Sequence, residues 1–301
     1  MLALDHRQNL RKELAPDDPS SITYDDMVGF KQAVVRALAP TVNGVLLDPE
    51  YGAAQCVADG SLPGNVGLVI AIEATGYRGR PDARESHVLT GWSVQQAKRM
   101  GASAVKLLLY YHPDATTTDR QERLLESVFA DCVREDLPLF VEPLSFSIVP
   151  GEKLSGEERR RVVIETARRL TPIGGDVLKA EFPFDAAVGD HARWADACAE
   201  LDAASKLPWV LLSGGVDQET FEAQVEVACR AGASGVLAGR SVWAEAATMA
   251  PTERDVFLDG TGRARLQRLA QVVGDLGRPW HERPSRIATA ERPSDGWYSR
   301  Y

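Results

Sequence analysis

The sequence predicts an α/β protein of the TIM (β/α)8 barrel class, folded as a single domain. Three observations carry this. Short apolar, β-rich runs alternate with longer helical patterns eight times, the rhythm of a parallel sheet with crossover helices. The 301 residues suit one large barrel core, and no linker, low-complexity stretch or repeat beyond that rhythm interrupts them. Finally, the polar residues of the strands gather at their C-terminal ends, where barrels carry their chemistry. A doubly wound sheet would need a topological switch point and usually a Gly-rich first turn, and neither is visible.

Taken in order, residues 1–7 read as a strand ending in polar groups. Residues 24–38 form a helix with Met27, Phe30, Val34 and Leu38 on one side. Strands follow at 42–48 and 66–73, a helix capped by Ser93 at 93–100, a strand at 104–110 and a helix at 119–134. The fifth strand is 138–142. Ser155-Gly-Glu-Glu158 looks like a capping box opening a helix to 170. The sixth strand is Asp176-Val-Leu-Lys-Ala-Glu-Phe-Pro183, begun by a Gly pair and ended by Pro. A helix at 187–204, a strand at 208–213, a helix at 217–231 and a strand at 235–239 complete the eight units. Helices at 241–249 and 263–273 lie behind. The barrel is expected to span 1–280, with 281–301 a Pro/Arg/Ser-rich C-terminal tail that Trp297 and Tyr298 pack onto the barrel or a neighbouring subunit.

Composition narrows the function. A net charge of −9 argues against nucleic acid and anionic membranes as partners. No apolar run approaches bilayer length, and no signal-peptide pattern opens the chain. Cys56, Cys132, Cys198 and Cys229 are scattered without C-x-x-C spacing. They are expected to be reduced, buried thiols of a cytoplasmic protein. The five histidines are equally dispersed, so neither a metal nor another cofactor is expected. Trp92, Trp194, Trp209 and Trp243 read as core. Arg159-Arg-Arg161 reads as a solvated face or a contact with another subunit, which leaves a homo-oligomer open. The Gly/Arg-rich residues 73–80 read as a mobile cover over the mouth or an ordinary loop.

Only seven of the 34 basic residues are lysines, and two of these, Lys106 and Lys179, lie inside strands. The helix-facing side of each strand must be apolar, so both should point into the barrel. Asp5, Glu142 and Glu181 would be their carboxylate neighbours. A lysine in a dry site is disfavoured as the ammonium, and a neutral amine is what attack on a carbonyl needs. The alternative is a buried ion-pair network serving structure only. Such a network is costly to bury without a use, which favours catalysis. Ser213-Gly-Gly215 and Gly239-Arg240-Ser241 follow the seventh and eighth strands, where barrels cradle phosphate. The alternative is that these glycines only make tight turns.

Leu-Asp-His-Arg7, Leu-Asp-Pro-Glu-Tyr-Gly52, Val-Lys-Leu-Leu-Leu-Tyr-Tyr111, Val-Glu-Pro143, Val-Leu-Lys-Ala-Glu-Phe-Pro183, Leu-Ser-Gly-Gly-Val216 and Leu-Ala-Gly-Arg240 together resemble the tagatose 1,6-bisphosphate aldolase family. Sulfofructose-phosphate aldolases share the pattern. The resemblance covers the chain to about residue 280. It implies that Lys179 forms a Schiff base with a ketose carbonyl, with Lys106 and Glu142 handling protons and Asp5 orienting hydroxyls or the amine. Ser213, Gly214, Gly239 and Arg240 would hold the phosphate beside the ketone.

Arg7 and Arg78 are candidates for the distal anion, phosphate or sulfonate. The implied reaction is metal-independent cleavage to dihydroxyacetone phosphate and an aldehyde. A barrel isomerase would not need Lys179, and a non-catalytic sugar-phosphate sensor would not need the complete Lys/Lys/Glu/Asp set. Two departures stand out: His6 occupies a position where the family commonly has Gln, and the chain opens inside the first strand. The latter leads to an expectation of a shorter barrel floor or a start upstream.

Overall fold

A computed structural model describes residues 1–185, 190–283 and 294–299. Eight parallel strands form one sheet: β1 (Leu2–Leu4), β2 (Gly44–Leu47), β3 (Gly67–Ala71), β6 (Ala104–Tyr111), β7 (Leu139–Ser145), β8 (Val177–Ala180), β9 (Trp209–Leu212) and β10 (Gly235–Leu237). They are hydrogen-bonded in that order. A parallel bridge from Leu2 to Ala238 joins the last strand to the first, with Ala3 N donating to Ala238 O at 2.7 Å. The sheet is thus closed into the expected barrel.

The crossovers are α1 (Gln8–Leu14), α2 (Tyr24–Leu38), α3 (Ala53–Ala58), α4 (Val94–Arg99), α5 (Thr118–Arg134), α6 (Gly156–Leu170), α7 (His191–Ala204), α8 (Gln218–Ala231), α9 (Arg240–Trp243), α10 (Pro251–Phe257) and α11 (Arg263–Leu276). Periodicity located the long ones to within a few residues. The short α1, α3 and α10 escaped it, since one or two turns give too few repeats. The capping box expected at Ser155 is not formed, because the Ser155 side chain makes no cap bond. One forms instead at Thr23, which accepts from Asp26 N while the Asp26 carboxylate accepts from Thr23 N. The start of the predicted 187–204 helix lies outside the described residues.

Residues 73–80 correspond to neither a bare loop nor a simple cover. Their second half opens an antiparallel hairpin, β4 (Arg78–Arg80) and β5 (Ala83–Glu85), inserted between β3 and α4. It is fastened to the barrel by Tyr110 N donating to Ser86 Oγ at 2.8 Å and Ser86 N donating to Gln121 Oε1 at 3.0 Å. All four cysteines are buried thiols. Trp194, Trp209 and Trp243 are core, whereas Trp92 is only half-buried. Of the arginines at 159–161, Arg159 is half-buried, bonding Glu181 and the Phe182 carbonyl, whereas Arg161 is exposed as expected. Part of the 281–301 tail lies outside the described residues. Of the rest, Arg283 ties the chain to Asp202 and Ser205 O, and Trp297 and Tyr298 are exposed.

The lower barrel interior is apolar, filled by Ala3, Leu46, Val69, Ala104, Val177, Val210 and Leu237. The strand period is two, so the next positions along these strands are Asp5, Asp48, Ala71, Lys106, Lys179, Leu212 and Gly239, one layer higher. The polar layer of the mouth is therefore a direct consequence of the apolar layer below it.

Entry into β8 depends on Gly175, whose φ of +112° is open to glycine. A Cβ there would sit 2.5 Å from Val141 Cγ2 and 3.2 Å from Leu207 Cδ1. Gly175→Ala is expected to cost about 1–3 kcal/mol of stability, read as a lower urea midpoint. An unchanged midpoint would mean that this turn is not what sets the β8 register.

Candidate active site

The mouth of the barrel holds a cleft of about 380 Å³, lined by Asp5, His6, Arg7, Glu73, Tyr110, Glu142, Lys179, Ser213, Gly214, Gly239 and Arg240, among others. At its base is one continuous ion-pair network. Lys179 Nζ donates to Glu142 Oε1 at 2.7 Å. Lys106 Nζ lies 2.6 Å from Asp5 Oδ2, 2.5 Å from Glu73 Oε1 and 3.1 Å from Glu142 Oε2. Among the described residues, Glu142 Oε2 accepts no hydrogen bond, because Lys106 lies off the bonding direction. One carboxylate oxygen thus meets the Lys179 amine, and the other is buried against the Lys106 ammonium.

Both lysines are almost wholly buried, at 0% exposure for Lys106 and 4% for Lys179. Burial acts to lower the Lys106 ammonium, but Asp5, Glu73 and Glu142 outweigh it and hold it well above the usual lysine range. Lys106 is therefore a fixed positive charge. Burial likewise acts to raise Asp5, and the Lys106 and Lys179 charges outweigh it, holding Asp5 well below the usual carboxylate range. Asp5 is correspondingly a fixed negative charge.

Glu181 departs from expectation. Alternation puts it beside Lys179, but β8 ends at Ala180. Its carboxylate turns away to accept from Ser145 N at 2.7 Å and to pair with Arg159 at 3.2 Å. Glu73 takes the inward place instead. It was visible as a strand-end acid, two residues beyond Ala71, but its pairing needed the closed barrel. Lys31 was also missed, although its position on the apolar face of α2 was a signal. Fully buried, it reaches to Asp48 and donates to Leu4 O at 2.6 Å and His6 O at 2.8 Å, gripping the backbone on either side of Asp5.

At the β9 and β10 rim, Gly214 and Gly215 have φ of +60° and +81°. The absence of a side chain at Gly215 admits Arg240, whose Nη2 would lie 2.6 Å from a Cβ built there. Ser213 Oγ and His6 Cε1 flank Gly239, 3.6 Å and 3.5 Å from the corresponding point. Among the described residues Arg240 has only a loose partner, Glu13 at 3.4 Å, so the predicted phosphate residues converge on one concave, positively charged corner. His6 is held neutral by burial, its ring lowered to about 4 against the opposing pull of Asp5.

Arg7 differs from that corner. Its guanidinium is engaged by Glu50 at 2.7 Å and the Glu73 carbonyl at 2.7 Å, so its charge is already answered. Arg78 is exposed on the hairpin and does not line the cleft.

Known proteins agree with this geometry. The family model described as DeoC/LacD family aldolase matches residues 1–245. Tagatose 1,6-diphosphate aldolase 2 of Streptococcus agalactiae is 33% identical, covering 94% of this chain and 93% of its own. Tagatose 1,6-diphosphate aldolase 1 of Streptococcus pyogenes is 31% identical over the same shares. Among solved structures, an archaeal fructose 1,6-bisphosphate aldolase superposes with a TM-score of 0.60 at 21% identity, over 90% of this chain and 92% of that one. Fructose-bisphosphate aldolase from Plasmodium falciparum gives 0.73 at 14% identity, over 92% and 90%. These structural likenesses establish the shared barrel.

Proposed function

The chain belongs to the DeoC/LacD family of aldolases and is an aldehyde-lyase; from that premise we propose that it cleaves a ketose 1,6-bisphosphate, tagatose 1,6-bisphosphate being the first candidate, through a Schiff base on Lys179. The observation that carries the reading is the pairing of Lys179 Nζ with Glu142 Oε1 at 2.7 Å, open to the cleft and backed by the Lys106 cation.

Transfer of a proton from Lys179 to Glu142 frees the amine. The nitrogen adds to the C2 carbonyl, and loss of water gives an iminium. The C1 phosphate lies against Ser213, Gly214, Gly239 and Arg240, which fixes the carbonyl over Lys179. Glu142, again a carboxylate, removes the proton of the C4 hydroxyl. The C3–C4 bond breaks, its electron pair is taken up by the iminium as an enamine, and glyceraldehyde 3-phosphate departs. Protonation at C3 and addition of water then release dihydroxyacetone phosphate and the amine. Asp5 and Lys106 stay charged throughout and hold the field in which the iminium forms.

Borohydride reduction with dihydroxyacetone phosphate should trap a stable adduct, and peptide mapping should find it on Lys179. Reduction that labels no lysine would end the Schiff-base reading. A 6-sulfonated ketose 1-phosphate is the second reading, since sulfonate and phosphate are both tetrahedral oxyanions. Cleavage of the two substrates side by side distinguishes them.

A further inference from the structure

The ketose that this reading assigns carries a second anion, and the lining of the cleft gives it no obvious partner, since Arg7 is already paired. The strand order locates where that anion must fall. In the closed ring β1-β2-β3-β6-β7-β8-β9-β10, β6 stands four strands from β10, diametrically opposite, with Lys179 on β8 midway. A ligand with one anion at Arg240 and its carbonyl at Lys179 directs its other end toward β6. Of the two β6 residues lining the cleft, Leu108 and Tyr110, only Tyr110 carries a polar side-chain group.

Tyr110 is roofed by the hairpin. Period-two alternation puts Arg78, Arg80 and Glu85 on one hairpin face, where Arg80 pairs with Asp82 and Glu85 with Arg120. Arg84 lies on the other face, opposite Gly79; like Arg78 it stands outside the cleft lining, but it reaches that lining through Tyr110. Its Cζ is 4.8 Å from the Tyr77 ring centre, 5.1 Å from that of Phe146 and 5.7 Å from that of Tyr110. Nε donates to Pro81 O at 2.9 Å. Among the described residues no carboxylate pairs with Arg84. With three rings around Cζ and Nε held by Pro81 O, the two Nη groups have no hydrogen-bond partner among the described residues, and they carry the fork geometry that suits a tetrahedral oxyanion.

Resting on the aldolase reading, we propose that Arg84, together with the Tyr110 hydroxyl, binds the distal anion of the substrate, and that the hairpin exists to bring this cation to the rim facing Arg240. The three rings fix the guanidinium before substrate arrives, which limits the ordering cost of binding. Phosphate and sulfonate share the chemistry recognised.

The test compares kcat/KM for tagatose 1,6-bisphosphate, the 6-sulfonate analogue and tagatose 1-phosphate, whose distal end is neutral. The wild-type enzyme should prefer an anionic distal group, and the larger of its two ratios over the 1-phosphate names the anion. In Arg84→Met that ratio should fall about tenfold or more. Should that variant not fold, Arg84→Lys, which keeps the charge and loses the fork, and Tyr110→Phe support the same comparison. Equal losses on all substrates would make Arg84 a packing residue and overturn the proposal, as would a ratio lowered instead by Arg78→Gln on the opposite face. A wild-type protein that yields no borohydride adduct fails the aldolase reading first, separately from this one.

Discussion

Lys179→Met should lower turnover by about five orders of magnitude, the loss typical of deleting a nucleophile, and the variant should still fold. Both parts follow from the network. Met keeps the aliphatic bulk of the lysine in the barrel interior. Glu142 loses one partner but retains Lys106 at 3.1 Å, so no carboxylate is left buried beside apolar groups alone. What disappears is the nitrogen that binds the carbonyl. The measurement is cleavage rate together with borohydride trapping and a circular dichroism melt. A folded variant that retained more than a few per cent of activity would remove Lys179 from the mechanism.

Lys106→Met should be damaging in a different way. Lys106 is the common counter-charge of Asp5, Glu73 and Glu142. Its removal leaves Asp5 and Glu73 around an apolar side chain, with Glu142 still paired to Lys179 and Glu73 only to the more distant Arg7. The expected loss is about 3–5 kcal/mol of stability, as for removal of one partner of a buried ion pair, with activity reduced at least a hundredfold.

The pH dependence gives the sign. Asp5 is depressed in the folded state, so its contribution is present above about pH 4 and is lost as pH falls through the lower folded value. Lys106 is raised, so its contribution is present below about pH 10 and is lost as pH rises through the higher folded value. The gap between wild type and variant should therefore be widest near neutrality and shrink on acidification, as Asp5 protonates. A gap that stayed constant from pH 7 to pH 3 would show that the network contributes nothing electrostatic.

Much of the fold was legible because the barrel rhythm is local. A strand buried on both faces needs an unbroken apolar run, and each long helix needs an apolar stripe, so β6 and α2 announce themselves. The same locality explains the failures. The hairpin β4–β5 has exposed residues such as Arg78 and Arg80 and no apolar signature, so only its docking onto β6 defines it. Ser155 carries the letters of a capping box without forming one. Lys31 sits where a helix should present a hydrophobe, and its meaning appears only when Asp48 and two carbonyls of the β1 end are seen around it.

The order of residues by itself determined that two lysines would lie in strands, with acids at neighbouring strand ends and two Gly-containing turns after the last two strands. Period-two alternation is enough to aim Lys106 and Lys179 at the axis. Tertiary structure alone decided who pairs with whom. Glu73 rather than Glu181 joins the lysines, because β8 stops one residue short and its acid rotates to Arg159. Arg7 is consumed by Glu50, and Arg84 is left with an open edge. Coulombic pairing depends on separations of a few ångströms across the ring, a distance that strand closure sets and sequence spacing does not.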